Sequence, residues 1–189
     1  MSDGDPTATS ILDVTAALLE ADGDEALQLR EVAKRARVSL STVYKHFPSR
    51  DELVLAALER WMDANVYRSM PMADPRGLLA DRLVEAFRHI FEPWMAHPSM
   101  LTAFVRASLL PGGERLGRQG AAAAGAAIAS YFEGYDVELA GDVMTVLGHL
   151  TSGLLSEFAA GRADVAEIIR VYEVAVRRLT ADAAPAAGA

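Results

Sequence analysis

The stretch LREVAKRARVSLSTVYKHF, Leu29 to Phe47, decides the fold. Its first part has helical spacing, with Leu29, Val32, Ala33 and Ala36 on one face. A break at Arg37-Val38-Ser39 follows, and a second short helix is expected to start near Ser41 or Thr42. Ser39 and Ser41 both suit its N-cap, because a serine oxygen accepts from the free amides of a first turn. Val43 and Phe47 are four apart and point back at the first helix, leaving Thr42, Tyr44, Lys45 and His46 outward. Two short helices, a tight turn and an outward face rich in donors describe a helix-turn-helix, whose second helix can enter a major groove.

The charge distribution agrees with that reading, although the total does not. The chain carries −8 overall, which by itself argues against a nucleic-acid partner. Residues 30–50 hold Arg30, Lys34, Arg35, Arg37, Lys45 and Arg50 against Glu31 alone, a local +5 that leaves −13 on the remainder. A positive face on an acidic body orients a protein on a polyanion while limiting nonspecific adhesion elsewhere. The plainer alternative is a solvated helix face, but the surrounding motif favours DNA.

The segment from Ile11 to Leu58 resembles the DNA-binding domain of the TetR family of transcriptional repressors. ILDVTAALLEADG is similar to the family's first helix, LREVAKRARVS to its second helix and turn, and STVYKHFPSRDEL to its recognition helix and the entry to helix four. The family's usual turn glycine is Arg37 here, which weakens the turn chemistry and adds a cation near the DNA. The resemblance implies an all-α fold, with a helix-turn-helix domain at 1–48, an effector-binding and dimerisation domain at 49–180 and a disordered tail at 181–189. It also implies roles. Thr42 and Tyr44 would bond phosphates, and Arg30 would reach the backbone or an adjacent base. Leu40, Ser41 and Lys45 would meet base edges, Lys45 suiting a guanine and Leu40 a thymine methyl. Arg50, at the amino end of helix four, suits phosphate. His46 either touches phosphate or packs, and Tyr44 has an alternative role in closing the small core.

Outward from this segment, residues 1–9 read as a frayed tail, with Ser10 and Asp13 forming a relaxed capping box for the first helix. Ile11, Leu12, Leu18 and Leu19 give that helix its apolar face, and Gly23 ends it. Pro48 closes the recognition helix. Ser49 and Glu52 make a better capping box for a fourth helix running to about Tyr67, whose tilt would report events in the second lobe to the first. SMPMADP, 69–75, is a linker. A helix follows from Arg76 to His97, kinked or ended by Pro93, and another starts at Pro98. Pro111-Gly112-Gly113 breaks the pattern, and an alanine-rich helix covers 121–128.

The helix from Asp136 to Ala160 carries two stripes. One is large and apolar, from Ala140 through Val143, Met144, Leu147, Leu150 and Leu154 to Phe158. The other is small throughout: Gly141, Thr145, Gly148, Ser152, Ser156 and Ala159. Glycine costs a helix roughly 1 kcal/mol against alanine, so two in one stripe point to a backbone approaching closely. That backbone belongs either to the same chain or to a second copy. In TetR-like proteins the last two long helices form the dimer interface, so the resemblance favours a homodimer through this stripe with Ile169 and Tyr172 of the last helix.

Phe87, Phe91, Trp94, Met95, Phe104 and Met144 are either a filled core or the wall of an apolar pocket. EPWMAHPSMLTAFVRA is similar to TetR-like repressors of sterol and lipid catabolism, which implies a small hydrophobic effector. The expected partners are therefore an operator duplex, a second copy and that effector, with no cofactor, no metal and no catalytic residue. The four histidines are scattered, and HExxH, GxSxG and phosphate-binding glycine loops are absent, which disfavours an enzyme. The remaining alternative is a dimeric interaction module without DNA binding. There are no cysteines for disulfides or zinc. No apolar run approaches the roughly 18 residues that span a bilayer, so a soluble cytoplasmic protein is expected.

Overall fold

Hydrogen-bonding side chains placed just ahead of apolar runs set most helix starts in the computed structural model, which describes residues 5–68, 70–74 and 77–183. Helix α1 spans Pro6–Asp22 and begins earlier than the sequence suggests. The reason is local: Asp5 Oδ1 accepts from the Thr7 amide at 2.8 Å, and Pro6 takes the first helical position. Ser10 and Asp13 therefore lie inside the helix, and only residues 1–4 of the expected tail lie outside the described residues. Then come α2 at Leu29–Arg35, α3 at Leu40–His46 and α4 at Arg50–Met62. A π-helical turn, Asp63–Tyr67, carries the fourth helix to the residue where the sequence reading ends it.

Later elements are α5 at Leu79–Ala96, α6 at Pro98–Ser108, α7 at Glu114–Tyr131, α8 at Val137–Ala159 and α9 at Val165–Leu179. Among the described residues all regular structure is helical, as the expected all-α class requires. Pro93 lies within α5 and does not end it; the helix runs on to Ala96. Proline has no N–H for the carbonyl four residues back, and the helix ends within one turn of it. Between α6 and α7 glycine is obligatory at 113, where a side chain would collide with the Ala107 carbonyl and with Ser108.

Packing divides the chain into two compact units, Met1–Asn65 with Ala96–Ala121, and Val66–Met95 with Ala122–Ala189. This differs from the functional boundary expected at residue 48. In the first unit α4 packs on α1 and α6, with Leu53, Leu55, Leu58 and Met62 buried, so α4 is part of the core that supports α2 and α3. Ile11 and Leu19 of α1, Met100 and Leu101 of α6, and Leu116 of α7 are buried in the same unit. In the second unit α8 packs along α9, burying Val143, Leu147 and Leu154 on one helix and Ile168, Tyr172 and Val176 on the other. The expected tail begins at 181; Ala183 still bonds back to the Thr180 carbonyl, and residues 184–189 lie outside the described residues. Among the described residues, no helix is long and apolar enough to cross a membrane.

The turn between α2 and α3 carries a local conflict. Arg37 adopts φ of 57°, the left-handed region that glycine favours. It is held there by a helix-ending motif in which the Val38 amide bonds the Ala33 carbonyl at 2.9 Å and the Arg37 amide bonds Lys34 at 3.2 Å. Arg37→Gly is expected to raise stability by about 0.5–1 kcal/mol, the left-handed penalty less the backbone entropy that glycine brings. Urea denaturation of Arg37→Gly beside Arg37→Asn, which also tolerates this conformation, checks it; a destabilised glycine variant would contradict the strain.

Candidate nucleic-acid interface

Helix α3 is seven residues long and is held from both ends and from beneath. Beneath it Val43 is fully buried. At its start Ser39 Oγ accepts from the Thr42 amide at 3.0 Å and shares hydrogen bonds with the hydroxyls of Ser41 at 2.7 Å and Thr42 at 2.8 Å. Leu40 opens the helix, earlier by one or two residues than expected, and Ser39 rather than Ser41 is the cap. At its end the Phe47 amide closes on the Val43 carbonyl.

This anchoring presents a graded outer face. Ser41, Tyr44 and Lys45 are exposed, whereas Leu40 and Thr42 are half-buried. The Tyr44 ring is 49% exposed, so it does not close the small core. Arg30 of α2 and Arg37 of the turn are exposed as well. Among the described residues Arg30, Arg37 and Lys45 have no carboxylate within ion-pair distance. Glu31, the lone acid of the segment, is occupied by Arg35 at 2.7 Å and Lys34 at 3.9 Å. The Arg35 hydrogen bond, with help from both cations, holds its carboxyl below the ordinary range. The acid is thus neutralised within α2, and the free cations face outward.

Two expected contact residues are partly engaged inside the unit. His46 is half-buried, tilted against Phe47, and its Nε2 lies 3.7 Å from Asp5 Oδ2. Asp5 is held below its ordinary range by the Thr7 amide first and by His46 among lesser causes. Arg50 donates through Nη2 to the carbonyl of Asp24, and its Nη1 lies 3.7 Å from Asp51. Spacing gives no hint of the Asp24 contact, since Asp24 is 26 residues away.

In the second unit the residues expected to line a pocket behave differently from one another. Phe87 and Phe91 stack at 4.2 Å, and the Tyr172 ring lies on Phe87 at 3.4 Å, nearly parallel. All three, with Trp94, are buried, so this part of the expected wall is a filled aromatic core. Burial pushes the Tyr172 hydroxyl well above its usual range, and one face of the ring lies on Phe87. Met144 is 38% exposed, and Phe104 belongs to the first unit. An open cleft of about 450 Å³ lies beside Met95 and Ile169, lined also by Pro71, Glu85, Arg88, His89 and Glu92. Arg88 is bound there by Glu173, with Nε to Oε1 at 2.6 Å.

The small stripe of α8 is open. Gly141, Thr145, Gly148, Ser152, Ser156 and Ala159 are all exposed, and a side chain built at Gly141, Gly148 or Gly153 meets nothing within 4 Å. Ile169 is half-buried. The hydroxyls of Thr145, Ser152 and Ser156 bond the carbonyls one turn back at 2.8–3.0 Å. The close backbone approach expected of this stripe is therefore not made by the described part of the same chain.

Comparison with known proteins supplies the family. Residues 11–57 match the model for bacterial regulatory proteins of the tetR family, and residues 78–179 match a tetracyclin repressor-like C-terminal domain. The HTH-type transcriptional repressor KstR of Rhodococcus jostii is 50% identical over 50 residues, 26% of this chain and 24% of that protein. KstR of Mycolicibacterium smegmatis is 48% identical over 50 residues, so these curated relatives are matched over only about a quarter of their length. The fold extends much further than the identity. The crystal structure of a TetR transcriptional regulator from Rhodococcus sp. RHA1 has a TM-score of 0.72 at 18% identity, covering 94% of this chain and 97% of that one. The transcriptional repressor QsdR of R. erythropolis has a TM-score of 0.66 at 18% identity, covering 92% and 93%. With matching models over both its amino-terminal and its larger carboxy-terminal part, the chain belongs to the tetR family of bacterial regulatory proteins.

Proposed function

We propose that the chain is a homodimeric repressor that reads a palindromic operator with α3 and is released by a small molecule. The observation that carries the DNA-binding part is the outward set of Arg30, Arg37, Tyr44 and Lys45, exposed beside a capped recognition helix whose only local acid is already paired. Lys45, Ser41 and Leu40 are the base-reading residues, while Thr42, Tyr44, Arg30 and Arg50 fix the helix on the backbone. One seven-residue helix buries too little for useful specificity. Two copies related by a two-fold axis set a pair of them on successive major-groove faces about 34–36 Å apart.

The open α8 stripe supports the dimer. Small residues let two backbones approach, and hydroxyls already bonded to their own helix need no partner across the interface. Its assigned residues are Gly141, Thr145, Gly148, Ser152 and Ser156, with Ile169 at the side; Tyr172 supports α9 from within. The effector is a small, largely apolar molecule. Met95 and Ile169 supply apolar wall at the open cleft, and Glu85 and Glu92 favour a ligand that also carries a donor or a positive charge. Its binding lowers operator affinity by the difference between its affinities for the two forms of the protein.

Three measurements test these parts separately. Lys45→Ala should lose discrimination at one base pair by about 1–3 kcal/mol, whereas Thr42→Ala should weaken all sequences alike, both read by fluorescence anisotropy at fixed salt. Equal losses across sequences in both variants would remove the assignment. Gly148→Leu should convert a dimer to monomers in sedimentation velocity without lowering the melting temperature of the monomer, since leucine favours a helix over glycine by roughly 0.5–1 kcal/mol. An unchanged dimer would place the interface elsewhere. A thermal-shift panel of lipids, aromatics and amphipathic amines should contain a stabilising compound that also dissociates the DNA complex; stabilisation by none of them would count against the effector class.

A further inference from the structure

Asp24 lies in the loop between α1 and α2, and its side chain is only 16% exposed between two arginines. From α6, Arg106 Nη1 reaches Asp24 Oδ1 at 3.1 Å and the exposed Glu25 at 2.7 Å. From α4, Arg50 donates to the Asp24 carbonyl, while its approach to the Asp24 carboxylate, at 3.9 Å, is longer than a hydrogen bond. The charges therefore alternate as Glu25, Arg106, Asp24, Arg50 and Asp51, all within the first compact unit.

We propose that Arg106 is a positioning residue for DNA binding, acting through Asp24 on Arg50. This rests on the reading of Arg50 as a phosphate contact. A carboxylate so far withdrawn from water needs a cation. With Arg106 in place Asp24 already has one, and the Nη1 edge of Arg50 faces only the half-exposed Asp51. At 3.7 Å that approach is longer than a hydrogen bond, so the edge can still take a phosphate. Without Arg106 the Asp24 carboxylate closes on Arg50 and turns the guanidinium inward, and Glu25 loses its cation, so the local balance becomes more negative. Residues 24, 50 and 106 thus make an electrostatic chain that places a side chain of α6 in control of a DNA contact.

The test is a pair of mutant cycles on the full-length chain, read by anisotropy on a duplex that the wild-type protein selects from a random-sequence library. Arg106→Ala should weaken binding by up to about fivefold, the range of a solvent-accessible ion pair. The same change should cost less than about twofold in an Arg50→Ala or an Asp24→Asn background. Arg106→Lys should restore most of the affinity, since its ammonium still neutralises Asp24. Thermal melts of every variant define a temperature at which all remain folded, and affinities are compared there. An undiminished Arg106→Ala effect in the Arg50→Ala or Asp24→Asn background overturns the proposal, because Arg106 would then act on DNA by itself or only on stability. Failure of the wild-type chain to select any duplex overturns the DNA-binding reading and this inference with it.

Discussion

A seven-residue helix cannot sustain itself in water, where isolated helices shorter than about 12–15 residues are marginal. Both α2 and α3 are of that length, so the helix-turn-helix surface exists only because something else holds it. The holding is done by complete burial of Val32 and Val43, by the Ser39 cap and by the left-handed turn at Arg37. Longer helices then supply the platform. Trp61 of α4 donates its indole N–H to Glu20 of α1 at 2.6 Å, and Ser99 of α6 bonds the Glu20 carbonyl at 2.6 Å. Arg115 of α7 binds Glu52 and Glu59 of α4 at 2.9 and 3.0 Å. The short helices are rigid by association, which is what lets outward side chains be held in a fixed register.

The acidic body and the basic face reflect the same economy of charge. Most carboxylates near the first unit's basic residues are already paired across elements, as Asp13 is with Arg60 and Glu52 with Arg115. Arg30, Arg37 and Lys45 stand apart from that network and keep their full attraction for an anion. In the second unit the corresponding economy is one of volume. Aromatic bulk from α5 and α9 fills the interior, and α8 turns its smallest residues outward.

The all-helical class, the helix-turn-helix and most helix limits were legible, because caps, prolines and apolar spacing act over three or four residues. The start of α1 differs because Asp5-Pro6, an equally local signal, caps the helix ahead of Ser10. The pocket and interface residues were harder for a different reason. Periodicity assigns Phe87, Tyr172 and Met144 to apolar stripes, but it carries no information about whether a stripe meets its own chain, a ligand or a second copy. Tyr172 lies on Phe87, 85 positions away, while Met144 faces outward. The ion pairs of Asp24 were illegible on the same grounds, since Arg106 is 82 residues distant.

The chain has two tryptophans, and the fold gives one to each compact unit. Trp61 is buried with its indole N–H on Glu20, and Trp94 is buried within α5. Replacing either by phenylalanine leaves a single tryptophan. Excited at the red edge, where the five tyrosines do not absorb, its emission reports on one half of the molecule alone. Emission from the two single-tryptophan forms thus separates melting of the helix-turn-helix half from melting of the other, and reveals whether they unfold as one cooperative body or in sequence.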